Sequence, residues 1–154
     1  MTTPTQTITP CLWFDGQAEE AAAFYCSVFE NSRITSTSPG PNGKALVVVF
    51  ELDGLRFQAL NGGPQFKFTE AISMSITCQT QAELDERWQT LLSGGGQEGQ
   101  CGWLKDRFGL SWQVVPAGLG RLMSNPDPVK AQKVMTALLA MKKLVIADLE
   151  RAAQ

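Results

Sequence analysis

The chain has 154 residues, 13 Lys and Arg against 15 Asp and Glu, a net charge of −2 and a pI near 5.1. That length fits one domain or two fused halves and can bury about 68–70% of the unfolded surface. With no basic cluster, no run of about 18 apolar residues and no histidine, neither a nucleic-acid partner nor a membrane helix is expected, and neither a Ser-His-Asp nor a Cys-His catalytic set can be built within one chain.

In chain order, residues 7–14 are expected as a strand, with β-branched Ile8 and Thr9 and the aromatics Trp13 and Phe14. The residues before it lack the basic and apolar regions of a leader, so a cytoplasmic protein is expected. Asp15-Gly16 breaks the strand. From Gln17, apolar residues at Ala18, Ala21, Ala22, Tyr25, Val28 and Phe29 follow helical spacing, with Glu19 and Glu20 near the positive end. A short strand over 33–38 precedes the Pro39–Gly43 loop. Ala45–Leu52 is the clearest strand of the chain. Asp53-Gly54 is a two-residue hairpin signal, and Leu55–Leu60 returns with Arg56, Gln58 and Leu60 on one face.

Asn61-Gly62-Gly63-Pro64 breaks the chain, and residues 65–68 link two halves. Residues 71–78 alternate, with Ile72, Met74, Ile76 and Cys78 on one face and Ser73, Ser75 and Thr77 on the other. The hydroxyl face suits either solvent or the wall of a polar cavity. Thr80-Gln81-Ala82-Glu83 is a capping box, followed by the stripe Leu84, Trp88, Leu91 and Leu92. Gly94-Gly95-Gly96 follows a helix, so it reads as a C-cap and loop, not as a phosphate cradle. Residues 101–106 and 110–115 form a hairpin turning at Arg107-Phe108-Gly109. Asp127-Pro128 starts a helix with an apolar face of Ala131, Val134, Met135, Leu138 and Met141, and Ile146 and Leu149 suggest a further turn or two. That stripe needs cover from the domain or from a second chain, which makes a homodimer the expected assembly.

Two echoes organise these elements. Gly-Leu-polar-aromatic-Gln occurs at Gly54–Gln58 and at Gly109–Gln113, so Gln58 and Gln113 correspond 55 residues apart. Gln17-Ala18-Glu19 is matched by Gln81-Ala82-Glu83, 64 residues on. One strand–helix–strands unit used twice, the second copy shorter, explains both.

That order resembles the vicinal oxygen chelate superfamily, which includes the glyoxalase I, bleomycin-resistance and extradiol dioxygenase families. Residues Ile8–Gly16, Ala18–Ala21, Phe24-Tyr25, Leu60–Pro64, Phe66–Phe68, Glu70–Ser73 and Cys101–Gln113 are similar to its PhnB-like branch. The resemblance implies an α+β fold of two βαβββ repeats, about 6–61 and 69–116, forming a cupped mixed sheet. Residues 117–154 would then be a helical extension. Branch members are often described as 3-demethylubiquinone-9 3-methyltransferases. A Rossmann-like methyltransferase needs a Gly-rich strand-to-helix turn and a parallel βα array, and this sequence has hairpins instead.

The resemblance also implies where a divalent metal would sit: Thr9 or Pro10, Gln58, Ser73 and Gln113. These residues carry no imidazole and no negative charge, whereas a catalytic Zn²⁺ or Ni²⁺ site normally has three strong ligands. No metal or other cofactor is therefore expected. The pocket candidates are Gln58, Ser73, Ser75, Thr77, Trp103 and Gln113, through amides, hydroxyls and a stacking surface. Ordinary core packing is the competing reading for Trp103 and Trp112. Cys11, Cys26, Cys78 and Cys101 are scattered and read as free, buried thiols. Cys101 and Lys105 would share a strand face about 13 Å apart, too far for the lysine to activate the thiol. The expected function is binding of an unidentified small molecule. The alternative is a metal-dependent lyase, dioxygenase or antibiotic-modifying enzyme, and the remote one is the methyltransferase.

Overall fold

The computed structural model describes residues 6–154 and consists of two compact units, parted between Lys67 and Phe68. The N-terminal residues on which the expectation of no leader rests lie, up to residue 5, outside the described residues. The first unit contains β1 (Cys11–Phe14), α1 (Ala18–Val28), β2 (Arg33–Pro39), a 3₁₀ turn (Pro41–Gly43), β3 (Ala45–Leu52) and β4 (Leu55–Asn61). Its sheet has the order β1-β4-β3-β2, with β1 parallel to β4 and the other pairs antiparallel.

Alternation along β3 sends Val48, Phe50 and Leu52 inward, beside Phe57 and Ala59 of β4 and Leu12 and Phe14 of β1. Helix α1 covers this face with Ala18, Ala21, Ala22, Tyr25 and Val28. Tyr25, Phe50 and Phe57 form an offset aromatic stack with centroids 6.3 and 5.5 Å apart, a favourable arrangement. The hairpin turns at Asp53 (φ 48°) and Gly54 (φ 80°), both left-handed, as a two-residue turn of the hairpin type requires. The start of α1 has no local cap, because Gln17 makes no side-chain capping bond. Asn61 at the end of β4 supplies it: Ala18 N–H donates to Asn61 Oδ1 at 2.9 Å, while Asn61 Nδ2 donates to Ala45 O at 2.8 Å.

The second unit repeats the plan with β5 (Ser73–Cys78), α2 (Gln81–Leu92), β6 (Gln97–Glu98), β7 (Trp103–Lys105) and β8 (Ser111–Pro116). The order is β5-β8-β7-β6, with β5 parallel to β8. The α+β reading with two βαβββ repeats is thus correct, and the 9-residue shortfall of the second copy falls between its helix and last strand, where β6 has 2 residues against 7 in β2. Thr80 Oγ1 accepts from Glu83 N at 3.2 Å and Glu83 returns to Gln79 N at 2.8 Å, closing the capping box. Leu84, Trp88 and Leu91 are its buried stripe.

Three helices complete this unit: α3 (Leu119–Met123), α4 (Pro128–Leu139) and α5 (Ile146–Ala152). Asp127 caps α4 by accepting from Val129 N at 2.9 Å. Val134, Leu138, Leu144 and Leu149 are buried. The connection between α4 and α5 is stitched to its own unit: Met141 O and Lys142 O accept from Cys101 N and Gly102 N, each at 2.8 Å. The Gln81 amide takes both Leu144 O (3.0 Å) and Ile146 N (2.8 Å). The buried part of the stripe therefore needs no second chain for cover. Val129 and Leu139 remain exposed.

Three strands begin two or more residues later than expected. β1 begins at Cys11 instead of Thr7, and Ile8 is 85% exposed. Pro10 has no N–H to donate, and Gln6 occupies the neighbouring backbone by bonding Arg56 N and Arg56 O. β5 begins at Ser73, leaving Ile72 exposed. β7 is confined to Trp103–Lys105, because Cys101 (φ 58°) and Gly102 (φ 84°) are left-handed.

Candidate functional site

Residues paired in register share a face of the sheet. In the second unit Ser73, Ser75 and Thr77 pair with Ser111, Gln113 and Val115, and Gln113 and Ser111 pair in turn with Trp103 and Lys105. This face, away from α2, thus carries hydroxyls, an amide, an indole and an ammonium. The opposite face carries Cys78, Leu104, Trp112 and Val114, all buried. Gln113 Nε2 donates to Ser73 Oγ at 2.9 Å. Five of the six pocket candidates, Ser73, Ser75, Thr77, Trp103 and Gln113, therefore stand on one face.

Gln58 occupies the matching place in the first unit, paired with Cys11 and Val49 as Gln113 is paired with Ser75 and Trp103. By this register Cys11 corresponds to Ser75, so Thr9 corresponds to Ser73. Thr9 Oγ1 accepts from Arg56 Nε at 3.4 Å, and the same guanidinium donates to Gln6 O. A cation thus stands at Thr9, one of the two residues, Thr9 or Pro10, that the resemblance sets against the first metal ligand.

A cavity of about 510 Å³ opens beside β6 and β7, with Trp103, Lys105, Ser111, Gln97, Gln100 and Glu70 among its lining. Trp103 is half-buried here, so the core-packing reading fits only Trp112, which is 3% exposed. Lys105 and Glu70 form an exposed ion pair. The Lys105 ammonium, through its hydrogen bond, and the backbone N–H of Glu70 hold the Glu70 carboxyl below the usual carboxylate range. Ser111 is 1% exposed, and its hydroxyl has no hydrogen-bond partner. Sequence reasoning missed Lys105 and Ser111, although both share the face of Gln113 and Ser111 precedes it by two residues.

All four cysteines are free, but only Cys78 is buried; Cys11 is exposed, and Cys26 and Cys101 are intermediate. Among the described residues no three Cys, Asp or Glu side chains gather as a metal cluster would. Burial, reinforced by the Glu83 carboxylate and opposed by Arg87, pushes Cys78 up to about 11. Cys78 is accordingly expected to be the last of the four alkylated in the native protein at pH 8, as read by peptide mass; early labelling would contradict it. Cys101 lies in a left-handed turn outside β7, so the shared-face geometry expected with Lys105 does not exist. Its backbone, bonded to Met141 O, holds the turn against the α4–α5 connection.

No curated protein matches the chain. Among solved structures, a putative 3-demethylubiquinone-9 3-methyltransferase, PhnB protein, from Bacillus cereus is 34% identical, with a TM-score of 0.68, over 73% of this chain and 100% of that one. Protein PA1353 from Pseudomonas aeruginosa is 21% identical, with a TM-score of 0.62, over 73% of this chain and 98% of that one. The genomically encoded fosfomycin resistance protein FosX from Listeria monocytogenes is 14% identical, with a TM-score of 0.51, over 71% of this chain and 91% of that one. The last two likenesses concern the fold alone. The sequence profile described as 3-demethylubiquinone-9 3-methyltransferase matches residues 6–115. With paired βαβββ units, this match and the Bacillus cereus relative, the chain belongs to the PhnB-like 3-demethylubiquinone-9 3-methyltransferase family and has the glyoxalase/bleomycin resistance/dioxygenase superfamily fold.

Proposed function

We propose that this protein binds a small organic molecule on the face of the second unit's sheet turned away from α2, without a metal. The observation that carries this reading is the donor set. The residues that the resemblance sets against the superfamily's metal ligands, Thr9 or Pro10, Gln58, Ser73 and Gln113, offer only neutral oxygen donors. At one of them, Thr9, the hydroxyl is taken by Arg56, a cation that would repel Zn²⁺ or Ni²⁺. At another, Ser73, the hydroxyl receives the Gln113 N–H. These residues do not fit a catalytic metal. The second unit's face of Ser73, Ser75, Thr77, Trp103 and Gln113 does fit an uncharged or singly charged ligand, held by an amide and hydroxyls beside an aromatic surface.

S-adenosylmethionine, which the family description implies, fits no better. The only parallel contacts are β1 with β4 and β5 with β8, so no parallel βα array exists among the described residues. Two of the helix starts that follow a strand already have partners, since Asn61 takes the first N–H of α1 and Thr80 caps α2; the third, that of α3, opens a helix of only 5 residues. Native mass spectrometry of protein purified without chelator is expected to show no stoichiometric metal. Equimolar Zn, Ni, Mn or Fe would overturn the reading. Calorimetry is likewise expected to detect no S-adenosylmethionine binding, and saturable binding would restore the methyltransferase.

Self-association belongs to the same proposal. β2 is the outer strand of the first sheet, and all seven of its residues are exposed, including Ile34. A free, β-branched edge is where another chain adds most readily. The same spectra report subunit number, and a purely monomeric mass at micromolar concentration would remove this part.

A further inference from the structure

We propose that Lys105 is the anion-binding residue of the cavity beside β7, and that the ligand is a small monoanion, a carboxylate joined to a flat apolar group, which replaces Glu70 on the Lys105 ammonium. This deepens the small-molecule reading above and rests on it.

Three observations converge. The Glu70–Lys105 pair is solvent-exposed, and such pairs contribute little stability, so opening one for another carboxylate costs little. Ser111 lies directly across from Lys105 in the β7–β8 ladder, lines the same cavity and is 1% exposed with an unpartnered hydroxyl. A buried hydroxyl without a partner is unfavourable, and a ligand oxygen would satisfy it. Side chains directly opposite in a ladder have Cβ atoms about 5 Å apart, within reach of the two oxygens of one carboxylate. Trp103 stands two residues before Lys105, on the same strand face and half-buried. Its Cβ is about 7 Å from that of Lys105, which suits a ring or similar flat group attached to the carboxylate.

The charge is limited to one. Lys105 is the one cation among the residues that line the cavity; the Glu98 carboxylate turns to the α2 face, where it accepts from Trp88 Nε1 at 3.2 Å with Lys142 at 4.0 Å. A dianion would leave one charge with no cation among the lining residues to offset it. Gln97 and Gln100 add neutral amides.

The test uses phenylacetate and its neutral isostere phenylacetamide as probes, with the Trp103 indole resonance followed in ¹⁵N-labelled protein and assigned through Trp103→Phe. Phenylacetate is expected to bind about tenfold more tightly than phenylacetamide, as one charge-assisted contact provides. Glu70→Gln removes the competing carboxylate and should tighten phenylacetate several-fold. Lys105→Gln should abolish the preference for the anion, bringing the two probes to about equal affinity. Ser111→Ala should weaken phenylacetate a few-fold. Retained spectral dispersion shows that each variant is folded. Equal affinities for the two probes, or a Glu70→Gln variant that binds the anion no better, would overturn the anion assignment and leave the small-molecule reading standing. If neither probe moves Trp103, both fall together at this cavity.

Discussion

Asp106→Ala is expected to cost about 3–5 kcal/mol of stability, the range for removing one partner of a buried charged network. Asp106 is 3% exposed. Its Oδ1 accepts from Phe108 N at 2.8 Å and Leu110 N at 3.1 Å, and its Oδ2 accepts from Trp112 Nε1 at 2.8 Å. Its own backbone closes the turn, with Asp106 N donating to Leu110 O and Gly109 N donating to Asp106 O, each at 2.9 Å. The carboxylate is thus the clasp of the β7–β8 hairpin, the element that carries Trp103, Lys105, Ser111 and Gln113. Alanine takes the acceptor from three donors, of which the Leu110 N–H and the Trp112 indole N–H are buried. An asparagine in place of the aspartate would keep one acceptor oxygen for the two backbone N–H groups but turn an NH₂ toward the Trp112 indole N–H. Asp106→Asn should therefore cost about 2 kcal/mol, the loss of one charge-assisted bond with its donor left unpaired. Urea unfolding followed by tryptophan fluorescence measures both variants. An alanine variant within about 1 kcal/mol of the parent would mean that the clasp is replaceable by solvent.

The sequence is most legible where its signal is local. Asp53-Gly54 turns where two left-handed positions must turn, the Thr80–Glu83 box starts a helix, and Asp127-Pro128 starts another. The repeat is legible too, because Gln58 and Gln113 occupy matching register positions in their sheets. What escapes is imposed from a distance. Cys101 and Gly102 read as strand residues, yet their N–H groups are taken by Met141 and Lys142 about 40 residues on, which holds both in a left-handed turn. The α4 stripe reads as uncovered because nothing local says that Gln81 will bind the chain at Leu144 and Ile146. In the candidate site, the hydroxyl and amide face follows from alternation alone. The Glu70–Lys105 pair joins a linker to a strand 35 residues later, and the lone Ser111 hydroxyl is defined by what does not reach it. Neither leaves a mark on a sequence pattern.

Asn61→Ala is expected to cost about 2 kcal/mol, one helix cap plus one further hydrogen bond. The cap is supplied from outside the helix, since Gln17 offers none and Asn61 Oδ1 receives Ala18 N–H. The other arm of the same amide donates to Ala45 O, while Glu19 Oε1 accepts from Ala45 N at 2.9 Å. Asn61 thereby joins the end of β4, the start of α1 and the start of β3 through a single planar group. The two arms separate cleanly by substitution. Asn61→Asp keeps an acceptor at the helix start and gains from the helix dipole, roughly 0.3–1 kcal/mol. It has no donor for Ala45 O, and it brings a second carboxylate near Glu19. Aspartate should therefore fall between parent and alanine. Hydrogen exchange distinguishes the causes: Ala18 N–H stays protected in the aspartate variant and loses protection in the alanine variant. Equal loss at Ala18 in both would mean that Asn61 acts through β3 alone, and the cap assigned to it would be wrong.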